Sequence, residues 1–288
     1  MTIVSDQNQI KKIISKSASS FYWGMNILEK SKKRAMFSIY SFCRIVDDIA
    51  DSKLKKDEKI KRLNEWRNKI NYLFTGNKYG KDFLTRELLF SIKKYNLHKK
   101  DFISIIKGME MDCERKIKFP KKKELELYCD RVAGAVGCLS MNVFGVNTTG
   151  GRKYALAVGR ALQLTNIIRD LKEDSLRGRC YIPWEYVSKF KLQSLTPSNI
   201  IKNPKIKNLC KILLDDARKN YDLSEKLLFN LDGKKLKAAE IMKAMYKIIY
   251  NKMCSPRWEV GEKIKLTKFE KLYIILKIFF KGKRNYSI

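Results

Sequence analysis

The segment Ile39-Tyr-Ser-Phe-Cys-Arg-Ile-Val-Asp-Asp-Ile-Ala-Asp51 places Tyr40, Arg44, Asp47 and Asp51 at i, i+4, i+7 and i+11, one face of an α-helix, with Asp48 adjoining. The intervening Ile39, Phe42, Cys43, Ile45, Val46, Ile49 and Ala50 are apolar. A polar stripe on so apolar a helix is expected to face a cavity inside the protein rather than bulk water. Carboxylates at i, i+4 repel each other, at about 0.2–0.5 kcal/mol per pair, so a positive charge should compensate them.

A second stretch, Gly159-Arg-Ala-Leu-Gln-Leu-Thr-Asn-Ile-Ile-Arg-Asp-Leu-Lys-Glu-Asp174, repeats the design on what reads as one helix. Gln163, Asn166, Asp170 and Asp174 fall at i, i+3, i+7 and i+11, and Ala161, Leu162, Leu164, Ile167 and Ile168 fill the rest. One DxxxD motif arises by chance on many solvated helices. Two copies, each with an in-register Arg, Asn or Gln, are far more specific and could face each other across a pocket. Carboxylate oxygens are hard ligands, and Mg²⁺ combines a few of them with waters and substrate phosphate oxygens. A pair of buried salt-bridge networks is the competing reading; it gives no reason for five carboxylates with so few matched cations nearby.

The rest of the chain fits this picture. With 288 residues, 44% of them hydrophobic, it can bury a large core and is not a disordered basic tail. Five prolines, and apolar spacings such as Ile10, Ile13, Ile14 and Leu84, Leu88, Phe90, Ile92, predict helices throughout, with no sustained strand alternation. Breaks are expected at residues 75–80, 119–122, 147–151, 175–183, 196–204 and 232–233. None reads as an interdomain linker, so a single all-α domain over residues 1–288 is expected. The seven cysteines form no CxxC pair, which speaks against a disulfide framework or zinc cluster and for a reducing compartment. His98 is the one histidine, in a polar surface-like stretch, so most histidine-based catalysis and histidine-rich metal sites are excluded. The start, MTIVSDQNQIKK, lacks the order of a signal peptide, and no run approaches the roughly 18 apolar residues of a membrane span. A cytoplasmic protein is expected.

The formal charge of +32 has three readings: compositional drift toward lysine, an anionic nucleic acid, or attraction to anionic lipid and phosphorylated ligands. Lys53 to Arg62 and Lys121 to Lys123 are candidate phosphate contacts of a nucleic-acid-binding module. No helix-turn-helix, zinc finger or RNP element accompanies them, so no nucleic-acid partner is expected. The stretch from Lys263 to Arg284 is cationic and amphipathic. It has two readings: a surface on an anionic membrane, or a last helix packing Leu266, Phe269, Leu272, Tyr273 and Leu276 on the core.

At the two aspartate motifs the sequence resembles the squalene and phytoene synthase family. The resemblance extends to Ser20-Phe-Tyr-Trp-Gly-Met25, to Tyr128-Cys-Asp-Arg-Val-Ala-Gly-Ala-Val-Gly137 and to Arg177-Gly-Arg-Cys-Tyr-Ile-Pro183, and covers roughly residues 15 to 280. Within the family, Gly108-Met-Glu-Met-Asp112, residues 128–133 and the Lys263 to Leu276 stretch are most similar to bacterial presqualene diphosphate synthases of hopanoid pathways; phytoene synthases share a related Gly-Met-x-Met-Asp element.

The resemblance implies an all-α, single-domain isoprenoid synthase fold with a central apolar cavity, joining two prenyl diphosphates head to head. It implies Mg²⁺, with Mn²⁺ as an alternative, on Asp47, Asp48, Asp51, Asp170 and Asp174, assisted by Asn166. Arg44, Arg169, Arg177 and Arg179 would grip diphosphate oxygens, and Tyr40, Arg44, Asp47, Asp51, Asp170 and Asp174 would be the catalytic set. Ser20, Phe21, Tyr22, Tyr40, Tyr128, Val132, Gly134, Gln163 and Tyr181 would contact substrate. Phe21, Tyr22, Tyr40, Met109 and a helix from Val132 to Leu139 would wall off a dry pocket, with Gly134 and Gly137 admitting a prenyl chain close to the backbone.

The implied substrate is farnesyl diphosphate. One molecule loses diphosphate, the resulting allylic cation is attacked by the double bond of the other, and proton loss closes a cyclopropane to give presqualene diphosphate. Tyr40, Tyr128, Tyr181 or the released diphosphate could take that proton. NADPH is not expected, because there is no GxGxxG and the chain stops short of the carboxy-terminal extension and anchor of eukaryotic squalene synthases. The rivals are a phytoene synthase using geranylgeranyl diphosphate, a full squalene synthase, and a terpene cyclase or chain-elongating enzyme, whose usual DDxxD or NSE motifs are absent. Downstream squalene-forming enzymes and the inner face of an anionic membrane complete the expected surroundings.

Overall fold

A computed structural model describes residues 3–15, 20–75, 82–114, 118–192 and 194–280. Its first half comprises α1 (Ile3–Ser15), α2 (Ser20–Asn26), α3 (Lys30–Asp51), α4 (Lys56–Phe74), α5 (Phe83–Tyr95), α6 (Lys99–Glu114) and α7 (Lys122–Cys129). A π turn, Asp130–Gly134, leads into α8 (Ala135–Phe144). There follow α9 (Thr149–Arg169), α10 (Leu171–Leu176), α11 (Trp184–Lys189), α12 (Pro197–Ile201), α13 (Ile206–Leu228), α14 (Lys237–Met253) and α15 (Lys268–Phe280). Among the described residues the only β pairing is an isolated bridge between Lys118 and Cys180.

Local chemistry sets the ends. Asp82 caps α5 by accepting from the Thr85 amide at 2.9 Å while Thr85 Oγ1 accepts from the Asp82 amide. Thr148 caps α9 through the Gly151 amide at 3.0 Å. The break expected at 147–151 is therefore shifted: α8 ends at Gly145, in the left-handed region at φ 80°, and the glycines at 150 and 151 lie inside the first turn of α9. The break expected at 196–204 contains α12, opened by Thr196 and Pro197.

Two apolar clusters form the interior. One joins α3 to α6 and α8, where Phe42 meets Trp66 and Phe102 edge-on at 5.6 and 5.4 Å. The other joins α9, α13 and α14 through Ile167, Leu209, Leu213 and Met245. Helices α9 and α14 belong to both: Ala155 and Met242 pack in the first, Ala161 and Met245 in the second. Burying such a side chain contributes about 1.5–3 kcal/mol, so the two shared helices are firmly held. Arginine forks tie the layers together, Arg34 on Glu87 at 2.6 and 2.7 Å and Arg152 on Asp101 at 2.9 and 2.7 Å.

His98 is exposed, as its sequence context suggests, and the cysteines are all free. The core-packing reading of the last helix holds only in part: Leu266, just ahead of the helix, is buried and Ile274 and Ile278 make the helix's own core contact, while Phe269, Leu272, Tyr273 and Leu276 are exposed. No helix among the described residues is long and apolar enough to cross a membrane.

Candidate active site

An apolar cavity of about 210 Å³ lies where α2, α3, the π turn with α8, α9 and α14 converge, walled by Met25, Met36, Ile39, Val136, Met141 and Phe144 among others. A polar cleft of about 690 Å³ adjoins it, lined by Arg44, Asp47, Met109, Tyr128, Arg169, Asp170 and Glu173. Phe21, Tyr40, Cys43, Val132, Gln163 and Asn166 line both, so the cleft gives onto the cavity through them. The central apolar cavity implied by the sequence is thus present, with the two expected motifs at its mouth.

The carboxylates stand in a network of arginines. On α3, Arg44 reaches Asp47 at 3.0 Å and Asp48 at 2.9 Å. Asp51 receives Arg177 at 2.5 Å and Arg179 at 2.7 Å, from either side of Gly178. Gly178 has φ 76°, a backbone state other residues adopt only with strain, and it turns both arginines onto one carboxylate. Arg169 grips the neighbouring Asp170 with two bonds, 2.8 and 2.6 Å.

This corrects three sequence expectations. Asp47, Asp48, Asp51 and Asp170 each have an arginine partner, Arg44 serving two of them. The stripe is not enclosed, since the side chains of Asp47 and Asp48 are 42% and 58% exposed, and Asp47 lines an open cleft. The second motif does not lie on one helix either: Asp170, at φ −99° and ψ 8°, ends α9 and begins α10, although the Asp174 amide still reaches the Asp170 carbonyl at 2.9 Å.

Between the motifs sits Asp112, which the sequence flagged only within Gly108-Met-Glu-Met-Asp112 and assigned no role. Tyr181 donates to it at 2.7 Å and Tyr128 at 3.0 Å, and the two tyrosine rings stack at 5.0 Å. Burial, only partly opposed by Arg179, pushes the Asp112 carboxyl up to about 6. Desolvation by the protein packed around the inner edge of Asp47, whose outer edge stays open to the cleft, and the charge of Asp51 push it up to about 6, and burial and Asp170 push Asp174 up to about 7. Asp112 adds to both shifts, which makes it the electrostatic link between the two motifs.

The donor set fits Mg²⁺. Every candidate ligand is a hard oxygen, and the buried Asn166 Oδ1, beside both cavities, has no hydrogen-bond partner. Among the described residues no three acidic, His or Cys side chains converge on a ready-made cation cage. Mg²⁺ keeps several waters and takes few protein ligands, so an open set of this kind suits it. A pH test follows. In the folded state Asp47, Asp112 and Asp174 hold their protons to higher pH than an unfolded chain would, so their ionisation weakens the fold as pH rises from about 4 to about 7. Mg²⁺ should therefore raise the melting temperature most at pH about 8, with the increment fading below pH about 6 as protons compete. An increment constant from about pH 5 to 8 would exclude these carboxylates as the binding groups.

Two further expectations are corrected. Tyr22 points away from the cavity: it is 40% exposed and stacks on Phe37 at 6.2 Å. Gly134 serves helix packing, because a Cβ at Gly159 would lie 2.6 Å from the Gly134 amide nitrogen and one at Gly134 would lie 2.7 Å from Leu156. Gly137 does line the cavity. Tyr181 is buried behind Tyr128, and the side chain of Ser20 lies outside the described residues. Phe21 packs between Tyr40 at 6.1 Å and Tyr246 at 5.8 Å. Tyr246, Glu173, Lys263, Lys265 and Lys271 also line the cleft. Glu173 lies in the second aspartate stretch and the three lysines in the Lys263 to Leu276 stretch, where nothing in the sequence assigns them a site role; Tyr246 lies in neither.

The squalene/phytoene synthase family model matches residues 14–270. The presqualene diphosphate synthase of Zymomonas mobilis subsp. mobilis is 38% identical over 263 residues, covering 91% of this chain and 89% of that protein. That of Rhodopseudomonas palustris is 36% identical over 259 residues, covering 90% and 92%. A crystal structure of a dehydrosqualene synthase in complex with ligand superimposes with a TM-score of 0.79 over 96% of both chains; at 22% identity that likeness speaks for the fold alone.

Proposed function

The chain belongs to the squalene/phytoene synthase family, and from that premise we propose that it condenses two farnesyl diphosphates head to head into presqualene diphosphate, with release of diphosphate. The observation that carries this reading is the junction of an apolar cavity with a carboxylate–arginine cleft, joined at the unpartnered Asn166 oxygen. The whole chain acts as one catalytic domain of the prenyl transferase class.

Asp47, Asp48, Asp51, Asp170 and Asp174, with Asn166, would hold Mg²⁺, or Mn²⁺ in its place. When bound, the metal supplies Lewis acidity at diphosphate oxygens. The forks of Arg44, Arg169, Arg177 and Arg179 present paired donors that fit the same oxygens. Phe21 and Tyr40, at the throat, offer aromatic faces to positive charge, while Met25, Met36, Ile39 and Phe144 exclude water from the reacting chains. Of the candidate proton acceptors, Tyr128 and Tyr181 are both bonded to Asp112, so a proton reaching either hydroxyl oxygen can pass to that carboxylate.

The product leaves as a diphosphate, for squalene-forming enzymes downstream, and the enzyme works at the inner face of an anionic membrane. Incubation with farnesyl diphosphate and Mg²⁺, with and without NADPH, followed by phosphatase and mass spectrometry, tests this. Presqualene alcohol is expected in both arms. Squalene in the NADPH arm would overturn the stopping point, and phytoene formed in preference from geranylgeranyl diphosphate would overturn the substrate.

A further inference from the structure

Helix α15 carries two apolar faces, and only one is covered. Ile274 and Ile278, four residues apart, are 3% and 2% exposed and belong to the core shared by α9, α13 and α14. The other face is Phe269, Leu272, Tyr273, Leu276, Phe279 and Phe280, at i, i+3, i+4, i+7, i+10 and i+11, a continuous helical stripe. Phe269 and Phe280 are 85% and 84% exposed, and the four between them 45–62%. A soluble surface rarely leaves so contiguous an apolar stripe unpartnered.

Its surroundings select the partner. By helical position Lys268 and Lys277 border the stripe on opposite sides; the Lys277 ammonium lies 5.7 Å from the Tyr273 ring, and Lys237 of α14 lies 5.0 Å from the Phe279 ring. Lysines that flank an apolar stripe reach past it toward anionic headgroups. A second copy would bring another charge of +32 against the same face, whereas an anionic bilayer complements it. The remaining side of α15 faces the reaction: Lys271 lines the polar cleft, together with Lys263, Ile264, Lys265 and Leu266 from the segment leading into the helix.

We propose that α15 is a lipid-docking helix that lies in the headgroup plane of an anionic bilayer, holding the cleft mouth at the membrane. Prenyl tails then enter from lipid, and the product's tails return to it, without crossing water. The docking face stands independently of the reaction; the passage of tails rests on the function proposed above.

The test uses the full chain and vesicles of phosphatidylcholine alone or mixed with phosphatidylglycerol. The wild type should co-sediment with the anionic vesicles, less so as salt rises, and poorly with the neutral ones. Phe269→Ser combined with Phe280→Ser should lower anionic-vesicle affinity by on the order of a hundredfold, about tenfold for each side chain. Both side chains are exposed, so the melting temperature should stay near that of the wild type. The variant should turn over detergent-dispersed farnesyl diphosphate at the wild-type rate and vesicle-embedded substrate at least about tenfold more slowly. Vesicle binding within twofold of wild type in the variant overturns the proposal. So does equal binding to neutral vesicles, or a wild-type dimer that the variant splits without vesicle affinity in either. Absence of any prenyl product in detergent would sink the function instead, leaving the vesicle result to stand or fall by itself.

Discussion

Asp47→Asn and Asp170→Asn are each expected to lower the condensation rate by on the order of a hundred- to a thousandfold, the scale on which single electrostatic contributors to a transition state act. Both residues line the polar cleft, one from each motif, and asparagine keeps their shape while removing the charge. The loss should be catalytic rather than structural. Desolvation and neighbouring Asp51 hold Asp47 up at about 6, so its ionised form strains the folded state, and the neutral side chain should melt at or above the wild-type temperature near pH 7. Arg44 retains Asp48 as a partner in the first variant. Product quantified by mass spectrometry and Mg²⁺ affinity measured by calorimetry should fall together. Full activity in either variant would remove that carboxylate from the site.

The largest expected loss of stability lies behind the apolar cavity. Lys243, with a side chain only 5% exposed, reaches Glu240 at 2.9 Å and Glu225 at 2.8 Å; Glu240 is buried and also accepts from the fully buried Tyr154 hydroxyl. Lys243→Met would leave the Glu240 carboxylate without its cation in a nonpolar setting. Breaking a buried pair in this way costs about 3–5 kcal/mol, so the melting temperature should drop by on the order of 10 °C. Burial already raises the Glu240 carboxyl above its ordinary range, and losing Lys243 raises it further. Protonation then rescues the fold, so the deficit should shrink as pH is lowered. Adding Glu240→Gln should recover much of it. Denaturant melts of the two variants decide the matter, and a single variant as stable as wild type would show that the pair is not what holds this end of the cavity.

Much of this molecule is legible in its sequence. Tyr40, Arg44, Asp47 and Asp51 share a face because the 3.6-residue period fixes it, and the structure places them on one helix; Gln163 and Asn166 reach the cavity by the same rule. Periodicity, however, reports which residues share a face, not which face is covered. On α15 both Ile274 with Ile278 and the Phe269 to Phe280 stripe are apolar at helical spacing, and only packing against α14 distinguishes them. Tyr22 lies off the cavity for a related reason: one residue along α2 from Phe21, it points to the other side. The end of α9 at Asp170 carries no glycine or proline to announce it, and neither the π turn at Asp130–Gly134 nor the central place of Asp112 is a local property. Asp112 matters through contacts 16 and 69 residues away in sequence.

The arginine–aspartate pairs at the cleft have one more consequence. In two of them the side chains are substantially exposed, 45% and 42% for Arg44 and Asp47, 49% and 29% for Arg177 and Asp51, while Arg179, only 10% exposed, keeps the inner hold on Asp51. Pairs of this kind contribute only about 0–1 kcal/mol each, whereas the walls behind them are close-packed core. The reaction chamber is therefore stiff in shape but yielding in charge. An arriving diphosphate can draw an arginine fork away from its aspartate at little cost, and the released carboxylate becomes available to a cation in the same movement. On the function proposed above, substrate capture would be an exchange of partners within a nearly neutral lattice, and added salt should loosen both the old pairing and the new one together.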